Sequence, residues 1–179
     1  MATPHPNLAE IAGLAGYECV MLDGEHGTVG GESLDAMILA DYATGATPIF
    51  RRPSLDVALV KQALDHGAGG ILFPHIRTAE DRKQAVALCR YRPEGRRGVG
   101  PGRPIRYGLA DPKPFLASDS ENTIVALMIE EPQAVENLGP LRLFPASTSS
   151  TWDLGTCSQP MDTRSRSVIP WWSRPWRKR

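Results

Sequence analysis

Residues 18–26 read Glu-Cys-Val-Met-Leu-Asp-Gly-Glu-His, and three later stretches repeat the layout. Residues 47–51 are Thr-Pro-Ile-Phe-Arg, residues 69–75 are Gly-Gly-Ile-Leu-Phe-Pro-His, and residues 123–131 are Thr-Ile-Val-Ala-Leu-Met-Ile-Glu-Glu. In each, a short apolar run ends abruptly in polar residues. A continuous apolar run of this length, bounded by turn residues, reads as a strand buried on both faces. Such a strand can present chemistry only at its end. In a parallel α/β fold the C-terminal strand ends share one face, where barrels and doubly wound sheets place their active sites. A histidine, an arginine and glutamates at those ends point to an enzyme.

Helices fit between the strands. Residues 8–15 predict a short first helix with Gly16 as its stop, and residues 32–43 a second. Ser54 reads as the N-cap of a third that runs through His66 to Gly67, with Val57, Val60 and Leu64 on one face. Thr78, with Asp81 three positions on, gives a near capping box for a helix that reaches about Arg90. Residues 133–138 start another. The alternation predicts a parallel sheet. Residues 94–122 interrupt it as a long stretch rich in Gly, Pro and Arg, expected to be a substrate-covering or subunit-contact loop. Its Gly98-Val99-Gly100-Pro101-Gly102 follows a helix and not a strand, so it is no dinucleotide fingerprint.

Composition narrows the class. The chain has 179 residues, with 20 basic and 20 acidic side chains. That length allows one domain with a substantial core. The zero net charge argues against nucleic acid or membrane partners, and there is no apolar run of about 18 residues to span a bilayer. Cys19, Cys89 and Cys157 are odd in number and far apart, which fits reduced thiols in a cytoplasmic protein. The averages conceal a break. Residues 1–143 carry 14 basic against 18 acidic side chains, whereas residues 144–179 carry 6 against 2 and all four tryptophans.

The strings Leu-Asp-Gly-Glu-His-Gly (22–27), Pro-Ile-Phe-Arg-Arg-Pro (48–53), the run 60–76, Arg-Tyr-Arg-Pro-Glu-Gly-Arg-Arg-Gly-Val-Gly (90–100) and Met-Ile-Glu-Glu-Pro-Gln-Ala-Val-Glu-Asn-Leu (128–138) together resemble the HpcH/HpaI aldolase family, over roughly residues 7–141. The resemblance implies a TIM (β/α)8 barrel and metal-dependent, class II cleavage of 4-hydroxy-2-oxo acids to pyruvate and an aldehyde. It implies a divalent cation (magnesium, manganese or cobalt) and a homo-oligomeric parent enzyme. It implies roles for individual residues as well. His26 is the catalytic histidine, acting in proton transfer through a metal-bound water. Asp23 and Asp65 orient it. Arg51 binds the 2-oxo acid, and Glu130 is a metal ligand. Some members have Gln where this chain has Met128.

Those roles have a chemical basis. Aldol cleavage leaves a pyruvate enolate, whose charge a cation and a guanidinium can share. Carboxylate oxygen suits a hard cation. A histidine with an acidic partner can take the proton of the 4-hydroxyl. Read singly, Arg52 competes with Arg51 as the inward arginine and Glu131 with Glu130 as the inward carboxylate. His75 fits a lining role. A citrate-lyase-β-like enzyme acting on CoA thioesters is the rival reading, and a non-catalytic remnant the other.

The chain departs from the family at both ends. The family begins earlier, with a helix and a strand ahead of the residues aligned with Leu8. After Leu143 a further strand ending Gly-Pro-x-Asp-Leu is due, but residues 145–155 read Pro-Ala-Ser-Thr-Ser-Ser-Thr-Trp-Asp-Leu-Gly. Read one nucleotide earlier, degenerate codons for residues 146–157 permit Gly-Val-Asp-Val-Val-His-Leu-Gly-Pro-Gly-Asp-Leu. The expectation is therefore a partial barrel domain over residues 1–144, with four β/α units, an out-of-frame and disordered tail over 145–179, no ligand role for Asp153, and no activity for the chain as written. A complete barrel takes about 250 residues.

Overall fold

All four expected strands form, and a fifth joins them. The computed structural model describes residues 1–137 and 151–155. The strands are β1 Cys19–Asp23, β2 Thr47–Arg51, β3 Gly70–Phe73, β4 Ile124–Ile129 and β5 Thr151–Gly155, all parallel and in the order β1-β2-β3-β4-β5. Chain order equals spatial order. A doubly wound sheet reverses its strand order at one point, whereas a barrel wall does not. The sheet is therefore a run of β/α barrel wall.

Strand β5 corrects the expectation of a tail without elements. Thr151 pairs with Val125 and Gly155 with Ile129. Threonine and tryptophan suit strands, and β4 offers an open edge for backbone pairing. Periodicity is invisible in so short a run. The remaining residues expected in the tail, 145–150 and 156–179, lie outside the described residues.

The helices are α1 Pro6–Leu14, α2 Gly31–Thr44, α3 Val57–Asp65, α4 Ala79–Cys89, α5 Pro112–Asn122 and α6 Pro132–Glu136. The capping box of α4 forms as read: Thr78 accepts from Asp81 N at 3.1 Å, and Asp81 accepts from Thr78 N at 2.9 Å. Helix α3 starts later than read, because Asp56 and not Ser54 caps it, accepting from the Ala58 and Leu59 amides. Helix α5 lies inside the stretch read as a loop. Its signal is Asp111-Pro112, an N-cap followed by proline at the first helical position.

Alternation along the strands sorts two faces. Leu22, Phe50, Ile71, Phe73, Val125, Leu127 and Ile129 pack against the helices in the main core. Ile49, Leu72, Ala126 and Met128 form a smaller cluster on the opposite face, the barrel interior. Each large side chain buried fully in this way contributes about 1.5–3 kcal/mol. At the other edge the Met1 amino group donates to Met21 O at 2.7 Å, and Asp23 N donates to Met1 O at 2.9 Å. Met1 thus lies alongside β1.

Residues 97–103 do not cover the strand ends. Arg97 pairs with Asp65 at 3.3 Å and with Asp119 at 3.2 Å. Arg103 pairs with Asp35 of α2 and donates to His66 O at 2.8 Å. These anchors fix residues 97–103 to α2 and the C-terminal end of α3.

Candidate active site

The parity of each strand decides which polar residue faces inward. Cys19, Met21 and Asp23 share one face of β1. Ile49 and Arg51 share the matching face of β2, and Met128 and Glu130 that of β4. Arg51 is therefore the inward arginine. Arg52 follows Phe50 to the helix side, where the residue is 1% exposed and its guanidinium lies 5.8 Å from the Phe50 ring centroid. Burial lowers its pKa. Glu130 is likewise the inward carboxylate. Glu131 turns to Arg77, with Arg77 Nε at 2.6 Å from Oε2 and Nη2 at 2.9 Å from Oε1.

Asp23 and Arg51 form the centre of the cluster. Arg51 Nε donates to Asp23 Oδ1 at 2.9 Å and Nη2 to Oδ2 at 2.5 Å, a bidentate pair. The Glu25 and His26 amides also donate to Asp23 Oδ1, at 3.0 and 3.1 Å. The Arg51 hydrogen bonds and these amides hold the Asp23 carboxyl well below the usual carboxylate range, against a smaller opposing effect of burial. The pairing raises the pKa of Arg51 in turn. Gly24 permits the turn: its amide donates to Arg51 O at 3.0 Å, and a Cβ there would stand 2.6 Å from the Phe50 ring.

Two residues that the sequence left outside the site join it. Glu25 Oε2 lies 3.4 Å from Arg51 Nη1, and Glu25 Oε1 lies 3.3 Å from His75 Nε2. On its other side, His75 Nδ1 sits 3.2 Å from Glu130 Oε1 and 3.1 Å from Glu131 Oε1. The Asp-Gly-Glu-His turn carries the signal for Glu25. Its amide is drawn back to Asp23, and its carboxylate then faces β2 and β3.

The histidine assignment needs correction in one respect. His26 reaches the strand-end face, but its side chain is 73% exposed and its nearest recorded carboxylate is Glu25, at 3.7 Å. Asp23 bonds the His26 amide, not its ring. Asp65 is far from both. It is the last residue of α3, a helix that runs from the C-terminal end of β2 back to the start of β3, so its carboxylate lies at the opposite end of the sheet, on Arg97. The structure brings together Asp23, Glu25, Arg51, His75 and Glu130. It leaves His26 at the rim and Asp65 outside.

The donor set fits a hard divalent cation in kind. Both oxygens of Glu25 are engaged, whereas among the described residues the contacts to Glu130 fall on Oε1. Glu130 thus keeps Oε2 for a ligand. One or two carboxylates completed by water and substrate oxygens is a usual magnesium arrangement. Among the described residues no cluster of three or more acidic, His or Cys side chains is gathered for a metal.

A parallel barrel wall with a fixed guanidinium and inward carboxylates at its C-terminal strand ends is the arrangement in which α/β barrels place their active sites. The chain belongs to the HpcH/HpaI aldolase/citrate lyase family, which it matches over residues 1–141. It is 35% identical over 162 residues to a 4-hydroxy-2-oxovalerate aldolase of Novosphingobium aromaticivorans, covering 84% of this chain and 61% of that protein. It is 35% identical over 170 residues to a hydroxypyruvate/pyruvate aldolase of Roseobacter denitrificans, covering 90% and 66%. The crystal structure of a family member from Burkholderia cenocepacia J2315 superposes with a TM-score of 0.75 at 28% identity, over 82% of this chain and 59% of that one. The chain thus spans less than two thirds of each of these relatives. No described helix is long and apolar enough to cross a membrane.

Proposed function

We propose that this chain carries the catalytic strand ends of a divalent-cation-dependent aldolase that cleaves a 4-hydroxy-2-oxo acid to pyruvate and an aldehyde. The observation that carries the reading is Arg51. Its guanidinium is clamped at the barrel interior by Asp23, is 13% exposed, and stands beside Glu25. A guanidinium fixed in advance meets charge that develops on the substrate with little reorganisation. Arg51 binds the 2-oxo acid and holds the oxygen on which the enolate charge gathers. Glu130 supplies the carboxylate for the cation, which when bound polarises the 2-oxo group and shares the enolate charge. His26 stands at the rim, where an exposed imidazole can take the proton of the 4-hydroxyl directly or through one water. Glu25 keeps Arg51 and His75 in place. Magnesium and manganese fit the carboxylate donor best. Support for the reaction class comes from the aldolases to which the chain is similar.

For the chain as written the expectation remains no release. The test is pyruvate release from a 4-hydroxy-2-oxo acid by the chain with its codons from residue 146 restored to the neighbouring frame, with Mn²⁺ and with a chelator. Cation-dependent release that falls by about 10²–10³ in Arg51→Ala is the expected result. Cleavage confined to CoA thioesters, or release indifferent to the chelator, overturns the proposal.

A further inference from the structure

His75 occupies an unusual position for the end of a strand. By alternation it belongs with Ile71 and Phe73, on the helix face. Instead its φ is +56°, in the left-handed region that a residue with a Cβ rarely enters. The next residue is anchored to β4, with Ile76 N donating to Met128 O at 3.3 Å. The turn therefore throws His75 across the end of β4, toward Glu130. Its main-chain amide donates to Glu130 Oε1 at 2.9 Å, and its Nδ1 lies 3.2 Å from the same oxygen. Nε2 lies 3.3 Å from Glu25 Oε1. The ring spans the β1 and β4 strand ends, and everything it does to Glu130 falls on one oxygen.

We propose that the imidazole of His75 is a positioning residue for the cation: by engaging Glu130 Oε1 from a left-handed turn braced on Glu25 and Glu131, it leaves Glu130 Oε2 for the cation. The proposal rests on the reading that Glu130 is the carboxylate that meets the cation. Left-handed strain at functional sites persists where surrounding contacts over-determine it, and here the ring meets three carboxylates, Glu25 through Nε2 and Glu130 and Glu131 through Nδ1. A ligand carboxylate held by an outer partner binds metal better than a free one, because fewer of its orientations must be given up. Sequence carried no sign of this, since His75 read alone is a lining residue.

The experiment measures Mn²⁺ affinity of the 179-residue chain from the paramagnetic resonance of the free ion. His75→Gly keeps the amide and relaxes the left-handed backbone but deletes the ring. It is expected to raise the Mn²⁺ dissociation constant about 10-fold with no fall in melting temperature. His75→Asn tolerates the same backbone region and returns an N–H close to the place of Nδ1, so it should bind near the parent level. Glu130→Gln should abolish binding. Parental affinity in His75→Gly, with binding lost in Glu130→Gln, overturns the role of the ring and leaves the proposed function standing. A parent that takes up no Mn²⁺, or a Glu130→Gln chain that binds as well as the parent, overturns both.

Discussion

Asp23 shows how one side chain can shape a turn and fix a neighbour at once. Its Oδ1 gathers the Glu25 and His26 amides while the same carboxylate grips Arg51 through two bonds. The guanidinium then has Nη1 left over, directed at Glu25. Removing the guanidinium deletes the fixed positive charge that the proposed reaction sets against the enolate. Arg51→Ala should lower kcat/KM for pyruvate release by about 10²–10³, measured at saturating cation so that metal affinity does not enter. Asp23 leaves a second, independent mark. Its folded pKa lies below its unfolded value of about 3.9. Its contribution to stability is therefore complete above that value and is lost as pH falls below it. Asp23→Asn should lower stability at neutral pH and make the acid limb shallower than in the parent, in urea melts taken from pH 2 to 5. An acid limb identical to the parent's would show that the pair adds nothing to folding.

At the scale of elements, what could be read in the sequence follows local chemistry closely. Four strands were legible because their apolar runs are continuous, and α4 because Thr78 and Asp81 form a reciprocal cap. Thr78→Ala leaves the Asp81 amide without its acceptor and should cost about 1 kcal/mol, read from the urea midpoint at unchanged slope. An unchanged midpoint would mean that water replaces the cap freely. Helix α5 was hidden by its composition: Pro-Lys-Pro at its start and Ser-Asp-Ser-Glu-Asn at its end look like loop, and no apolar stripe betrays it. Strand β5 was hidden because its pairing is a property of the β4 edge more than of its own five residues. The site divides the same way. Arg51 and Glu130 were named, and strand parity explains why they and not Arg52 and Glu131 face inward. Glu25 and His75 were not, because their roles depend on a turn and on a left-handed backbone that spacing does not reveal. Asp65 matched the family's string, but its helix carries it to the far end of the sheet.

For the molecule as a whole, the helix layer holds a carboxyl group at odds with its surroundings. Asp41, on the face of α2 that meets the sheet, is 0% exposed, and neither carboxylate oxygen has a hydrogen-bond partner among the described residues. Burial pushes its pKa up to about 6. The folded value exceeds the unfolded value of about 3.9, so the sign is opposite to that of Asp23. The folded chain holds this proton more tightly than the unfolded chain, and stability falls as pH rises from about 4 to about 6. At about 1.4 kcal/mol for each unit, the loss is on the order of 3 kcal/mol once the carboxyl is fully ionised. The two contributions have opposite signs, that of Asp23 being lost below about pH 4 and that of Asp41 as pH rises above it. Asp41→Asn removes the charge while keeping the shape. It should raise the midpoint of urea unfolding at pH 8 by the equivalent of about 2–3 kcal/mol and leave it nearly unchanged at pH 4. A variant less stable than the parent at pH 8 would mean that the ionised carboxylate has a partner that stabilises it, and that the buried charge is not the weak point of the fold.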